Sequence, residues 1–213
     1  MRGPARHLPP HRAVHRRHGA ANRGVALSGT TGFWLADDGT VAYLDSAGGS
    51  WQLHALRPNG SVEQITHDAA KPVLWGRVDG ATALFARATA AGSEVVLADG
   101  GGEHVLSGAT ETAGGPGDVR DGWAAWTTGG PAGTRLWTRS PAGDVRQTGM
   151  GLAQFTWRLG WQGKVLMFSG YNAYLARPGG GATQIGPEPM RWDWPRDQLY
   201  VTWSGDVYRV DQP

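Results

Sequence analysis

The chain has 213 residues, with 34 Gly, 13 Pro, 11 Trp and no Cys, and a formal net charge of +2. The missing cysteine excludes disulfides, thiolate catalysis and zinc–thiolate sites, and no apolar run is long enough to cross a bilayer as a helix. The charge is unevenly divided: residues 1–23 carry six Arg and four His without an acid, while the remainder sets 14 basic against 18 acidic residues, a net of −4, so no nucleic-acid role is expected of the folded part.

Residues 1–22 are rich in Arg, His, Pro and Ala and poor in large apolar side chains, which predicts a disordered basic tail. The tail has no apolar run of the kind a signal peptide needs. His7, His11, His15 and His18 have helix-face spacing. Pro9 and Pro10 interrupt that helix, and no carboxylate or thiolate completes a metal site. No metal and no other cofactor is expected in the chain.

From residue 23 to residue 213 short apolar stretches alternate with turns. Val25-Ala26-Leu27-Ser28-Gly29 reads as a strand. Then follow Phe33-Trp34-Leu35, the turn Asp37-Asp38-Gly39, Val41 to Leu44, Trp51 to Leu56, the turn Pro58-Asn59-Gly60, and Val62 to Thr66. A second unit runs through Val73-Leu74-Trp75, Asp79-Gly80, Thr82 to Phe85, Glu94 to Leu97 and His104 to Leu106. The third has Asp121-Gly122, Trp123 to Trp126, Arg135-Leu136-Trp137 and Val145 to Gln147. The fourth has Phe155-Thr156-Trp157, Gln162-Gly163, Val165 to Phe168, Tyr174 to Ala176 and Thr183 to Ile185. Met190 to Trp194, Gln198 to Trp203 and Asp206 to Val210 supply three strands of a fifth.

Each stretch is rich in Val, Leu, Trp, Tyr and Thr and bounded by Gly, Pro, Asn or Asp, the strand-and-turn pattern. Gly39, Gly80, Gly122 and Gly163 recur at intervals of 41, 42 and 41 residues, and a period near 40 marks a repeat architecture. Second strands are almost continuously apolar, as strands buried on both faces are. Four short antiparallel strands at this period predict an all-β fold, a β-propeller of five four-stranded blades. The expected boundaries are about 32–66, 73–107, 118–148, 154–186, and 190–211 completed by residues 24–29. That N-terminal strand resembles His104-Val105-Leu106-Ser107-Gly108, a fourth strand, and is expected to close the ring and remove its free edges.

Strings such as Asp38-Gly39-Thr40-Val41-Ala42-Tyr43, Gly122-Trp123-Ala124-Ala125-Trp126 and Leu136-Trp137-Thr138-Arg139-Ser140-Pro141 resemble the TolB/PD40-type (WD40-like) bacterial propeller repeats over residues 32 to about 211. The usual Pro-Asp-Gly turn is replaced by Asp-Asp-Gly, Val-Asp-Gly, Arg-Asp-Gly and Trp-Gln-Gly. The resemblance implies a bacterial protein, with repeats that occur in partner-binding modules, lipoproteins and peptidase accessory domains alike; relatives of this kind are often exported, and with no export signal visible the compartment stays open. In Leu199-Tyr200-Val201 and Val207-Tyr208-Arg209 the last blade is also similar to five-bladed tachylectin-type lectins.

The chemistry read from the residues favours recognition. Asp38, Asp79, Asp121 and Asp197 recur at one turn, where Asp accepts backbone N–H bonds and precedes a Gly of positive φ; repetition of this kind points to structure. Asp118, Glu188 and Asp193 lie on or near innermost strands, and Asp118 with Asp193 is the candidate carboxylate pair for a glycoside hydrolase. His54, His67 and His104 are the only histidines outside the tail, and no Gly-x-Ser-x-Gly elbow is present.

The chain is therefore expected not to be an enzyme, but a non-catalytic scaffold that binds a protein or peptide through loops at one face of the ring. Candidate contact residues are Trp51, His67, Lys71, Met150, Tyr171, Asn172, Met190 and Arg191, since Met, Arg and Trp are enriched in interface cores. A lectin-like carbohydrate site built on Trp51 and on Tyr171 beside Asn172 is the alternative, and a glycosidase-like enzyme the third. Most other tryptophans, including Trp34, Trp75, Trp126, Trp157 and Trp192, read as fillers between blades.

Overall fold

The computed structural model describes residues 32–46, 49–107, 111–130, 133–148, 156–187, 191–194, 198–203 and 206–210. The predicted closing strand 24–29, the basic tail, Met150, Glu188, Met190 and Asp197 lie outside these residues. Among the described residues every regular element is a strand except one 3-10 turn at Trp161–Gly163, and no helix is long and apolar enough to cross a membrane.

The strands form five antiparallel sheets, each an up-and-down meander in chain order. The first holds β1 (Phe33–Leu35), β2 (Val41–Asp45), β3 (Gln52–Leu56) and β4 (Val62–Gln64). The second holds β5 (Val73–Asp79), β6 (Thr82–Thr89), β7 (Gly92–Asp99) and β8 (Gly102–Val105). In the third, β9 (Thr112–Ala113) pairs with the far end of β11 (Trp123–Gly130), which lies between β10 (Asp118–Arg120) and β12 (Gly133–Arg139), with β13 (Val145–Gln147) outermost. The fourth holds β14 (Thr156–Leu159), β15 (Val165–Ser169), β16 (Asn172–Ala176) and β17 (Ala182–Pro187), and the fifth β18 (Arg191–Asp193), β19 (Leu199–Trp203) and β20 (Asp206–Val210).

The four periodic glycines all fall in the first hairpin of their sheets, so the 41-residue rhythm is that of one recurring turn. Between β10 and β11 the loop is only Asp121-Gly122, because Arg120 pairs with Trp123. Both loop residues have positive φ, 49° and 76°, the combination a two-residue turn needs to match strand twist. Asp tolerates that conformation better than most residues.

The continuously apolar second strands are explained by packing on both faces. Along β6, Phe85 joins Leu53, Ala55, Val73 and Val96 in a core between the first and second sheets. Its neighbour Leu84 joins Val95, Leu97, Val119, Ala124 and Trp126 between the second and third. Ala125, Leu136, Trp157, Val165 and Met167 fill the next interface, and Leu166, Phe168, Leu175, Trp194, Leu199 and Val201 the one after it. Successive residues of a central strand thus serve opposite interfaces, the period-2 rule acting in a two-sided setting.

Several tryptophans meet glycines of an adjoining segment. A Cβ on Gly160 would overlap the indole of Trp194, one on Gly163 that of Trp123, and one on Gly117 would press on Trp75 and Leu84. Trp126, Trp157 and Trp194 are buried, as core fillers should be. Trp192 is not: it is 38% exposed, because all three residues of β18 face outward.

Candidate functional site

Each first strand runs from an end carrying the sheet-to-sheet connections and second hairpins, the loop end, to an end carrying the Asp–Gly hairpins. The hairpin end is tied together. Asp79 Oδ2 accepts the N–H of Asp121 in the next sheet at 2.7 Å, and Arg57 donates to the carbonyl of Gly80 at 2.6 Å. Burial, with Asp121, Asp38 and Asp37 nearby, raises the pKa of Asp79. Burial works in the same direction at Asp38, but the N–H and hydroxyl of Thr40, the N–H of Gly80 and the Arg57 charge outweigh it and hold that carboxyl below its ordinary value. The recurring Asp therefore does more than shape its own turn: at Asp38 and Asp79 it also grips the following sheet.

Arg120 spans further. Its guanidinium donates to the carbonyl of Trp194 at 3.0 Å and pairs with Asp37 at 2.8 Å, joining the third sheet to the fifth and the first. Arg120→Met should lower the unfolding free energy by about 1.5 kcal/mol, the lower end for bonds to a charged group because Asp37 is largely exposed; urea melts of both proteins measure it.

On the inner wall, the third residue of each second strand marks one rung. Phe33 lies opposite Tyr43, Arg77 opposite Leu84, Asp118 opposite Ala125 and Trp157 opposite Met167. Trp192 lies opposite Val201 in the fifth sheet, so this rung carries Phe, Arg, Asp and two Trp in the five sheets. Asp118 is buried; its Oδ1 accepts the N–H of Val119 at 3.1 Å and its Oδ2 that of Leu159, in the fourth sheet, at 3.2 Å. Burial pushes its pKa up to about 6, against the opposing pull of these N–H groups and of the Arg77 and Arg158 charges. Arg77, half-buried, places its guanidinium carbon 4.5 Å from the centre of the Trp34 ring. Asp193 is exposed on β18, an environment unlike that of Asp118.

The residues predicted to contact a ligand fall in two groups at the loop end. Trp51 precedes β3, packs against the core of the first two sheets and accepts the N–H of Val73 through its carbonyl at 2.8 Å. His67 and Lys71 lie in the connection from β4 to β5; His67 is exposed, and Lys71 stands 3.8 Å from Glu94, the carboxylate that Arg87 also holds at 2.7 Å. In the other group, Tyr171 at the tip of the β15–β16 hairpin is 89% exposed, Asn172 Oδ1 accepts from Gln184 at 2.9 Å, and Arg191 is exposed at the start of β18. His54 stacks on Tyr43 with centroids 5.5 Å apart, and His104 sits 3.4 Å from Asp99. Among the described residues no three His, Asp or Glu side chains gather as a metal site.

Sequence reasoning did not single out Arg77 or Arg158. The signal was available in the repeat: aligned on their hairpins, the second and third units carry Arg and Asp where the first carries Phe.

No protein-family model and no curated protein matches the chain. Solved structures do. The structure of streptogramin B lyase superposes with a TM-score of 0.52 at 15% identity, covering 87% of this chain and 70% of the lyase. A protein assigned as TolB from Agrobacterium tumefaciens gives 0.49 at 14% identity, covering 83% and 72%, and a chain of a nidogen/laminin complex 0.48 at 17%, covering 83% and 74%. Together with the five antiparallel meanders, the superposition on the lyase shows a β-propeller-type fold.

The comparison also corrects the expectation that the chain is not an enzyme. The lyase shares this fold across most of the chain, so the lack of a cysteine and of a serine elbow does not exclude catalysis. Propeller strands bring side chains together from separate sheets, and a site assembled that way leaves no local motif to search for.

Proposed function

We propose that the chain recognises a protein or peptide partner through the loop end of a five-bladed ring, closed by residues 24–29 pairing with β20. The observation that carries this reading is the difference between the two ends. Asp79, Arg57 and Arg120 tie sheets together at the hairpin end, whereas His67, Tyr171 and Arg191 project from the loop end. Exposed side chains on loops held by a rigid scaffold are where binding residues concentrate. Aromatic and Arg side chains carry most of the energy in such contacts.

Affinity capture from the source cells tests it, with quantification by mass spectrometry. The expected result is a protein retained by the wild type and by a hairpin-end control, Asn59→Arg, but reduced about tenfold or more by Tyr171→Ser combined with Arg191→Ser. If no retained protein responds to the loop-end substitutions, recognition does not occur there. A carbohydrate ligand is the second reading, favoured by the exposed Tyr171 ring; glycan-array binding lost in Tyr171→Ser would replace the protein partner with a sugar.

Closure has its own test. The chain contains no cysteine, so Ala26→Cys combined in turn with Val207→Cys, Tyr208→Cys and Arg209→Cys leaves only the designed pair to oxidise. A strand paired with β20 gives an intramolecular disulfide in one of these registers. No disulfide in any of them would remove the closing strand.

A further inference from the structure

Between the first and second sheets lies a cleft of about 230 Å³ walled by Phe33, Trp34, Tyr43, Leu74, Trp75 and Arg77, among others. Arg77 is the one charged side chain among the described residues that line it. Arg77 spends one N–H on the carbonyl of Gly76 at 2.9 Å, out of the five a guanidinium carries, and its cation lies over the Trp34 indole. Trp34 Nε1, in the same wall, is buried without an acceptor. A half-buried guanidinium with most of its donors unused calls for an explanation.

The charge around it is unbalanced. Among the described residues, Asp118 on β10 and Arg158 on β14 are the charges that act on Arg77, two cations to one carboxylate. That carboxylate is already engaged by the N–H groups of Val119 and Leu159. One further negative charge would neutralise the group. A planar guanidinium accepts a carboxylate through two parallel bonds, and the remaining walls are aromatic or aliphatic. A closed apolar cavity of about 150 Å³ takes benzene; this cleft is half-open and polar where Arg77 lines it, and its volume of about 230 Å³ has room for a ring or branched chain laid on the aromatic wall with its carboxylate on Arg77.

We infer that this cleft binds a small free carboxylic acid carrying one apolar ring or branched chain, with Arg77 as the residue that holds the carboxylate. The site is separate from the loop-end contacts, and its ligand is identified by charge and size alone.

Phenylacetate and its neutral isostere phenylacetamide are the probes, titrated into the full chain by calorimetry and by ligand-observed NMR. Phenylacetate binds saturably and the amide at least about tenfold more weakly, as loss of a charge-assisted bidentate contact requires. Arg77→Gln lowers phenylacetate affinity by about the same factor and leaves the amide unchanged. Arg158→Gln lowers it too, by removing the surplus charge, and serves as the second variant should Arg77→Gln not fold. Arg57→Gln, at the hairpin end, leaves binding intact. Equal binding of acid and amide, no saturable binding of phenylacetate, or unchanged affinity in folded Arg77→Gln would each overturn the assignment.

Discussion

Gly163→Ala should lower the unfolding free energy by about 3 kcal/mol, whereas Gly39→Ala should cost about 1 kcal/mol. Both glycines sit in the first hairpin of their sheets, both with positive φ, 73° and 86°, and an L side chain in that region costs about 1–2 kcal/mol wherever it occurs. The difference lies in what the new methyl meets. At Gly39 the nearest atom is Pro58 Cγ at 3.6 Å, an ordinary contact. At Gly163 the methyl falls on the six-membered ring of Trp123, in the interface between the third and fourth sheets, and forcing volume into a packed interface adds about 1–3 kcal/mol. Urea melts of the two variants decide it. Equal losses would mean that Trp123 moves aside freely and that this tryptophan–glycine contact is not a close one.

The second expected result concerns pH. Burial disfavours the charge of Asp118 and pushes its pKa up to about 6 in the folded chain, against the ordinary 3.8 of the unfolded chain. A raised folded pKa means that the folded state holds the proton more tightly. Its contribution is therefore fully present below pH 3.8 and is lost as pH rises through 6. The loss between about pH 4 and pH 7 amounts to about 2.4 kcal/mol, opposite in sign to the behaviour of a salt-bridged carboxylate. Asp118→Asn has no charge to bury, but its amide cannot accept from both Val119 and Leu159, so its absolute stability is the wrong readout. The pH slope is the right one. Melts of both proteins at pH 4 and pH 7 should show the wild type losing stability relative to the variant by this amount. Parallel slopes would mean that Asp118 is not held in a charge-disfavouring environment.

The strands and their hairpins were legible in the sequence because their causes are local. Asp121-Gly122 dictates a tight turn within two residues, and Val165 to Phe168 announces a strand buried on both faces without reference to anything distant. The site was far less legible. Asp118 was noticed as an acid on an inner strand, but its meaning comes from the N–H of Leu159 and from Arg77 and Arg158, and only the register between sheets brings those groups together. The sequence set Trp51 apart from Trp126 as a contact residue against a filler, and burial follows that order only in degree: Trp51 sits at a connection, half-buried against the core, and Trp126 lies mid-strand with no exposure. Catalysis was discounted for want of a compact motif, a criterion that a fold assembling its wall from separate sheets does not obey.

Arg120 bears on how the molecule comes apart. In a linear stack of repeats each unit touches only its neighbours, and such arrays lose their terminal units first, with cooperativity decaying along the chain. The four apolar interfaces are of that nearest-neighbour kind, linking sheets one to two, two to three, three to four and four to five. Arg120 is not: its bonds to Trp194 and Asp37 couple the middle unit directly to both outermost ones. Fraying at either end therefore strips a partner from the centre, and the five units melt more nearly as one transition than their pairwise packing alone would give.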